Sequence, residues 1–365
     1  MTQLKGTNIT AGVSIVTGDT ERTSASGVKE EFKKIWHYVP NFFVASDLET
    51  ENIRVGLGVT APFGMSSEWS ATGFARYVCT YSDLQLINVN PTFAYKINPE
   101  LSVGCGVDNY ISSAKLKSKA DYGLVLGFPG AMDGTNELNG DGSGWGYNLG
   151  ALYKPYEKHS FGIAYRSPIK VKYEGELKMT GIPALLVPAT SLKSDAETSI
   201  NFPASLNAGY AFRPIQKLKI EYNLDWTFWN TLEEFKIDVK TPVPPFLGDS
   251  VSKYDYRNTL AHKFGVEYSL RENIKSRGGY AFNQNATPEE TFRPSLPDAS
   301  QHHIGLGAGF EFDRFTVDIA GIAVIFPKRT INNNVDSNES ISSSSVDGVY
   351  ETFNSGVFTN FGYRF

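Results

Sequence analysis

The chain has no run of about 18 consecutive apolar residues, which excludes a transmembrane helix. Nor does it carry an excess of positive charge. With 39 acidic against 34 basic residues its net charge is −5, which argues against a nucleic-acid partner. Two cysteines, four methionines and five histidines offer little material for a disulfide scaffold or a metal centre. Neither a Walker loop nor a Gly-x-Gly-x-x-Gly leading from strand into helix occurs, so no nucleotide cofactor is expected. The opening Met1-Thr2-Gln3-Leu4-Lys5-Gly6 has no apolar core that could serve as a signal peptide.

Aromatic residues and glycine are plentiful instead: 24 Phe, 19 Tyr, 5 Trp and 34 Gly among 365 residues. That balance suits many strands and turns rather than a helical enzyme. The average hydropathy is slightly polar, yet a membrane remains open to such a chain. A transmembrane barrel alternates lipid-facing and lumen-facing residues, and the two halves cancel in any window average.

Period-two alternation is the dominant pattern. Ile53, Val55, Leu57, Val59, Ala61 and Phe63 alternate with Arg54, Gly56, Gly58, Thr60, Pro62 and Gly64. Leu260, His262, Phe264, Val266, Tyr268 and Leu270 do the same against Ala261, Lys263, Gly265, Glu267 and Ser269. One face is continuously apolar, while glycines such as Gly104, Gly106, Gly305, Gly307 and Gly309 fall on the other. Several segments exceed the usual length of about five or six residues for soluble strands. Short turns near Asp47–Asn52, Asn98–Glu100, Glu157–His159, Arg271–Asn273 and Asp313–Arg314 alternate with long polar loops, the outer-membrane rhythm. The expectation is an all-β fold: one transmembrane antiparallel barrel over residues 1–365, with about fourteen strands. These begin near Lys5, Tyr38, Ile53, Asp83, Leu101, Trp145, Ser160, Glu197, Lys217, Tyr254, Ile274, Gln301, Phe315 and Val349. Phe264, Phe310 and Ile319 should face lipid.

Phe361, Tyr363 and Phe365 alternate to the last residue and form a terminal aromatic row. This is similar to the C-terminal signature of bacterial outer-membrane barrels, so the barrel assembly machinery is an expected partner through Phe365. Cys79 and Cys105 should sit at different heights on neighbouring strands, too far apart to bond, and are read as free, packed thiols. The Ser-rich stretch from Asn332 to Ser345 reads as a surface loop.

Little in the chain points to catalysis. Asn139-Gly140-Asp141-Gly142-Ser143-Gly144-Trp145-Gly146 lacks the acidic spacing of a calcium loop and is read as a flexible loop running into a strand. His302 and His303 are adjacent, so in a strand they point to opposite faces and cannot share a metal. No spacing selects a Ser–His pair. No enzyme, metal or cofactor is expected. Two segments, Gly123–Met132 and Gly181–Ala189, are apolar where loops should be polar. Such surface is costly unless covered, so the two are expected to pack on each other, as a lid or as a groove for an apolar ligand.

Val39-Pro40-Asn41, Ala61-Pro62-Phe63-Gly64, Asn90-Pro91-Thr92-Phe93-Ala94-Tyr95-Lys96, Gly144-Trp145-Gly146-Tyr147-Asn148-Leu149-Gly150 and Gly162-Ile163-Ala164-Tyr165-Arg166-Ser167 give the chain a family likeness. It resembles the FadL-type outer-membrane transporters of long-chain fatty acids and hydrophobic compounds, the toluene-transporting branch included. The resemblance implies a fourteen-stranded barrel with an N-terminal hatch, ligand landing between two long extracellular loops, and sideways exit through a kinked third strand. On this sequence the landing residues are Leu126, Phe128, Leu185 and Leu186, and the kink falls at Pro62 and Gly64. Arg257 falls near a basic residue that holds a carboxylate, and Lys117 and Lys119 flank a second basic position occupied here by Ser118. The chain opens almost immediately after the place of an Asn-Pro-Ala element of the hatch. Signal and hatch are therefore expected to be missing, leaving a leaky pore.

The leading expectation is passive uptake of a long-chain fatty acid across the bacterial outer membrane by a monomer embedded in outer-membrane lipid. Uptake of aromatic hydrocarbons such as toluene and a general porin are the alternatives. A carboxylate needs a buried cation and a hydrocarbon needs none. The lumen offers Arg54, Arg166, Lys219 and Lys263, each with a candidate acidic partner among Glu221, Asp225, Glu267 and Glu311.

Overall fold

A computed structural model of the chain describes residues 1–244, 246–333, 335 and 345–365. Among the described residues fourteen strands form one closed antiparallel barrel. They are β1 (Asn8–Thr23), β2 (Trp36–Ser46), β3 (Ile53–Thr60 and Gly64–Glu68), β4 (Tyr81–Lys96), β5 (Leu101–Asp121), β6 (Asp133–Tyr156) and β7 (His159–Arg166 and Ile169–Thr180). The circuit continues with β8 (Ser191–Phe202 and Ser205–Ile215), β9 (Leu218–Thr227 and Glu234–Val239), β10 (Ser250–Lys253 and Thr259–Arg271) and β11 (Ile274–Asn283). It ends with β12 (Gln301–Phe312), β13 (Phe315–Ile325 and Arg329–Ile331) and β14 (Gly348–Arg364). Closure comes from β1, which pairs with β2 on one side (Asn8↔Ala45) and with β14 on the other (Asn8↔Arg364 through Thr23↔Val349).

Closure follows from the medium. Lipid offers no hydrogen bonds, so every backbone N–H and C=O must be satisfied across the sheet. The outward face is apolar: Phe264, Leu306, Ile319 and Phe361 are exposed on it, and Phe310 lies half-buried on the same face. On the inward face many of the charges are paired, Arg166 with Asp108, Lys219 with Glu221, Lys263 with Asp225, Lys275 with Glu311, and Arg277 with Glu267 and Asp318. Arg54 is instead held by carbonyls, its Nε donating to Leu4 O (2.9 Å). Seven residues precede β1; they form no helix and lie against the short-turn mouth, where Met1 Sδ is 3.1 Å from Thr92 Oγ1.

Several strands extend beyond the boundaries expected from the sequence. Trp145 lies in the middle of β6, which starts at Asp133, so Asn139–Gly146 is strand and not loop. The glycines of that stretch take alternate positions against β7, where backbones approach closely. A Cβ on Gly175 would collide with the Asn139 carbonyl across the ladder. Likewise β8 begins at Ser191, ahead of Glu197. Cys79 is buried and free, but Cys105 is free and exposed on the outer wall, not packed. Most of the Ser-rich stretch 332–345 lies outside the described residues.

Candidate lateral opening and apolar cavity

The barrel wall is interrupted in its third strand. Ile53–Thr60 pairs with β4 and, from Val55 to Val59, with β2 as well. Beyond Pro62 the strand resumes at Gly64–Glu68 and pairs only with β4. The register also slips by one residue there, from Thr60↔Asn88 to Gly64↔Gln85. Opposite the break, Trp36–Asn41 of β2 keeps β1 as its only partner. Pro40 and Pro62 stand on the two sides of this gap, and neither has an N–H to donate. Proline is tolerated at such unpaired edges, where the ladder asks for no N–H. Tyr38 shares a register row with Ile15 and the outward-facing Val357, so the gap opens at the height of the lipid-facing wall. Unpaired backbone at that depth is tolerated only where it is buried in protein or lines a cavity.

A cavity of about 660 Å³ lies behind it, with Pro62, Phe63, Gly64 and Met65 in its wall. The extra residue at the break reverses the alternation. Phe63, which the period-two pattern places on the outer face, therefore points inward. Its ring lies 5.0 Å from that of Phe202 on β8, 5.8 Å from Trp229 after the first segment of β9, and 6.2 Å from Tyr110 on β5. Tyr254, Tyr256 and Leu296 complete an aromatic and aliphatic lining. Among the described residues Lys263 is the only cation of the lining, and Asp225, another lining residue, pairs with it; Glu174 and Asp298 are the remaining charged groups there.

Toward the short turns the cavity meets a cluster of buried Leu86, Tyr110, Ile169, Val171, Tyr173 and Phe202. Two residues below Tyr110 is fully buried Asp108, which accepts from Asn88 Nδ2 (2.6 Å) and Asn148 Nδ2 (2.8 Å) and faces Arg166 Nε at 3.5 Å. This polar layer opposes passage of an apolar molecule straight down the lumen. Toward the long loops two hydrophobic caps close the barrel. One holds Trp69, Phe74, Phe292 and Tyr350, and Trp69 Nε1 donates to Pro294 O (3.0 Å). The other holds Tyr122, Met179, Ile182, Val239 and Leu247.

The fourteen strands, the third of them broken, fit one family. Residues 1–365 match the family described as outer membrane protein transport protein (OMPP1/FadL/TodX). The chain belongs to it. Among curated relatives, it is 25% identical over 327 residues to the long-chain fatty acid transport protein of Escherichia coli O6:H1, covering 82% of this chain and 71% of that one. It is 22% identical to outer membrane protein P1 of Haemophilus influenzae, over 84% and 70% of the two chains. Among solved structures, a Pseudomonas aeruginosa FadL homologue superposes with a TM-score of 0.86 at 18% identity, over 100% of this chain and 91% of that one. The Ralstonia pickettii toluene transporter TbuX gives 0.75 at 17%, over 100% and 90%. The P. putida toluene transporter TodX gives 0.74 at 16%, over 99% and 91%. The molecule is thus an outer-membrane, multi-pass β-barrel that takes up hydrophobic small molecules passively. Its short turns face the periplasm and its long loops the exterior.

The residues singled out from the sequence fall in three places. Pro62 and Gly64 lie at the gap and in the cavity wall. Phe128 (70%) and Leu185 (83%) are exposed loop tips and Leu126 is half-buried, whereas Leu186 packs into the cap with Val187. The two apolar loops meet at their bases, where Tyr122 and Ile182 share that cap, and residues Val243, Phe246 and Leu247 of a third loop join them. Arg257 is exposed, 3.9 Å from Glu290. Lys117 pairs with Glu137 (3.1 Å), and Lys119 Nζ donates to Thr135 Oγ1 (3.1 Å). None of these three cations is in the cavity wall. Sequence reasoning missed Phe202, Trp229 and Tyr256. Pro203 and the Phe228-Trp229-Asn230 interruption were the available signals, since each breaks its strand where the lumen needs an inward ring.

Proposed function

We propose that this barrel carries neutral hydrophobic molecules of the size and character of small aromatic hydrocarbons. The observation that supports this reading is the charge of the cavity. Its lone lysine is neutralised by Asp225, and Glu174 and Asp298 add only negative charge. A carboxylate entering such a space would lose its hydration with no unpaired cation among the described lining residues in return. An uncharged aromatic ring would exchange water for Phe63, Phe202, Trp229 and Tyr256. The toluene transporters among the similar folds agree with that chemistry.

In this reading a ligand lands on the exposed apolar tips Phe128 and Leu185, beside half-buried Leu126 and Leu186. It passes between the two caps into the cavity and leaves sideways between β2 and β3 at Pro62 and Gly64 into the bilayer. A monomer suffices, since each barrel holds its own cavity and gap, and assembly proceeds through β14 and its terminal Phe365. The second reading is fatty-acid uptake, which the names of the curated relatives favour. Arg257, Lys117 and Lys119 would then supply the carboxylate contact outside the cavity.

The path is tested with the double variant Phe128→Ser, Leu185→Ser and, separately, Arg257→Ala. The first should slow toluene uptake at low concentration without changing barrel stability, because both tips are exposed. The second should leave toluene uptake unchanged. Uptake unaffected by the loop pair would remove the landing step from this account.

A further inference from the structure

We propose that Phe63 is the valve of the lateral opening, closing the route from cavity to bilayer until a ligand displaces its ring. The inference rests on the uptake reading above and deepens it by naming the residue that controls exit. Phe63 lies between Pro62 and Gly64, the two residues of the cavity wall that border the break. Its half-buried ring contacts Phe202, on the strand five positions round the barrel, and Trp229, in the turn that interrupts the sixth. A side chain standing in the wall would meet neighbours on β2 and β4. This one is carried inward across the cavity by the one-residue slip of the strand.

The contacts suit a movable stop. All three partners are rings held by the barrel, and two of them, Tyr110 and Phe202, are buried members of the cluster beneath the cavity. The Phe63 backbone, by contrast, lies in the three-residue interruption Ala61–Phe63 that separates the two segments of β3. The anchor is fixed and the moving part sits on the unpaired segment. An aromatic or alkyl ligand offers Phe202 and Trp229 the same kind of contact that Phe63 gives them, so it can replace that ring at small net cost. Ions and polar solutes offer no such exchange and leave the valve shut. Selectivity would then reside at the exit as well as in the cavity.

The test measures initial uptake of toluene, and of bulkier naphthalene, by cells that lack their own hydrophobic-compound channels and express the full chain. Wild-type barrel should exceed the empty host; if it does not, the uptake reading itself fails and the valve is not at issue. Given wild-type uptake, Phe63→Ala should raise the rates of both probes, by about tenfold for naphthalene if roughly one aromatic pair is removed from the exit barrier. Phe63→Trp should lower both. Only variants that migrate faster unboiled than boiled are scored, and Phe63→Leu carries the same prediction, at smaller size, should the alanine variant fail to assemble. Unchanged or slower uptake in the smaller variants would overturn the proposal and leave Phe63 as a ligand contact or a packing residue.

Discussion

Lys263 on β10 stands directly across the ladder from Asn223 and is ion-paired with Asp225, two residues farther along β9, in the wall of the apolar cavity. The pair removes the one positive charge that the described lining could offer a carboxylate. Asp225→Asn keeps the shape and releases the ammonium. Relative to wild type, this variant should shift uptake toward oleate and away from toluene, measured as the ratio of initial rates. An unchanged ratio would mean that the pair does not set ligand charge.

The gap in the wall depends on residues that cannot complete a ladder. Pro62 has no N–H, and Gly64 brings no side chain to pack. Pro62→Val with Gly64→Val should favour pairing of β3 with Trp36–Asn41 of β2. Hydrogen exchange at the β2 amides should slow, and uptake should fall several-fold while the barrel becomes no less stable. Slowed exchange with full uptake would place the exit elsewhere.

Phe264 is 53% exposed on the outer face, opposite Tyr222 and Tyr280. Lysine there must expose a charge to hydrocarbon. Phe264→Lys should lose about 2–4 kcal/mol in reversible denaturant unfolding from vesicles if the position is near mid-membrane. A loss well under 1 kcal/mol would put Phe264 at the interface or away from lipid.

Much of the barrel was legible because a membrane wall imposes one rule on every strand. Alternation at Leu260–Leu270 and Ile304–Phe312 reads directly as lipid against lumen, and the short turns fix the hairpins. What was harder to read is where alternation is broken on purpose. Phe63 belongs to the apolar series of Ile53–Ala61, and only the one-residue slip turns it inward. Asn139–Gly146 looked like a loop because four glycines mask a strand whose other face carries Asp141 and Ser143. Phe202 ends a strand segment of β8, while Trp229 and Tyr256 lie in the interruptions of β9 and β10; they meet only after closure, so no local pattern could bring them together.

The resemblance to known transporters read from short motifs led to the correct family, but it ranked fatty acid ahead of neutral hydrocarbon. The basic residues it offered for a carboxylate were Arg257, Lys117 and Lys119. In the folded barrel Arg257 faces Glu290, Lys117 faces Glu137, and none of them borders the cavity. Charge pairing between strands is a property of register, which a sequence pattern specifies only indirectly.

The central claim is that the cavity accepts an uncharged ligand, and paired uptake measures it most directly. Cells without their own channels, expressing this chain, are given labelled toluene and labelled oleate separately and then together. Toluene should enter faster than in the empty host and oleate should neither enter faster nor slow toluene. Saturable oleate uptake that toluene fails to match would contradict the account and return the barrel to fatty-acid transport.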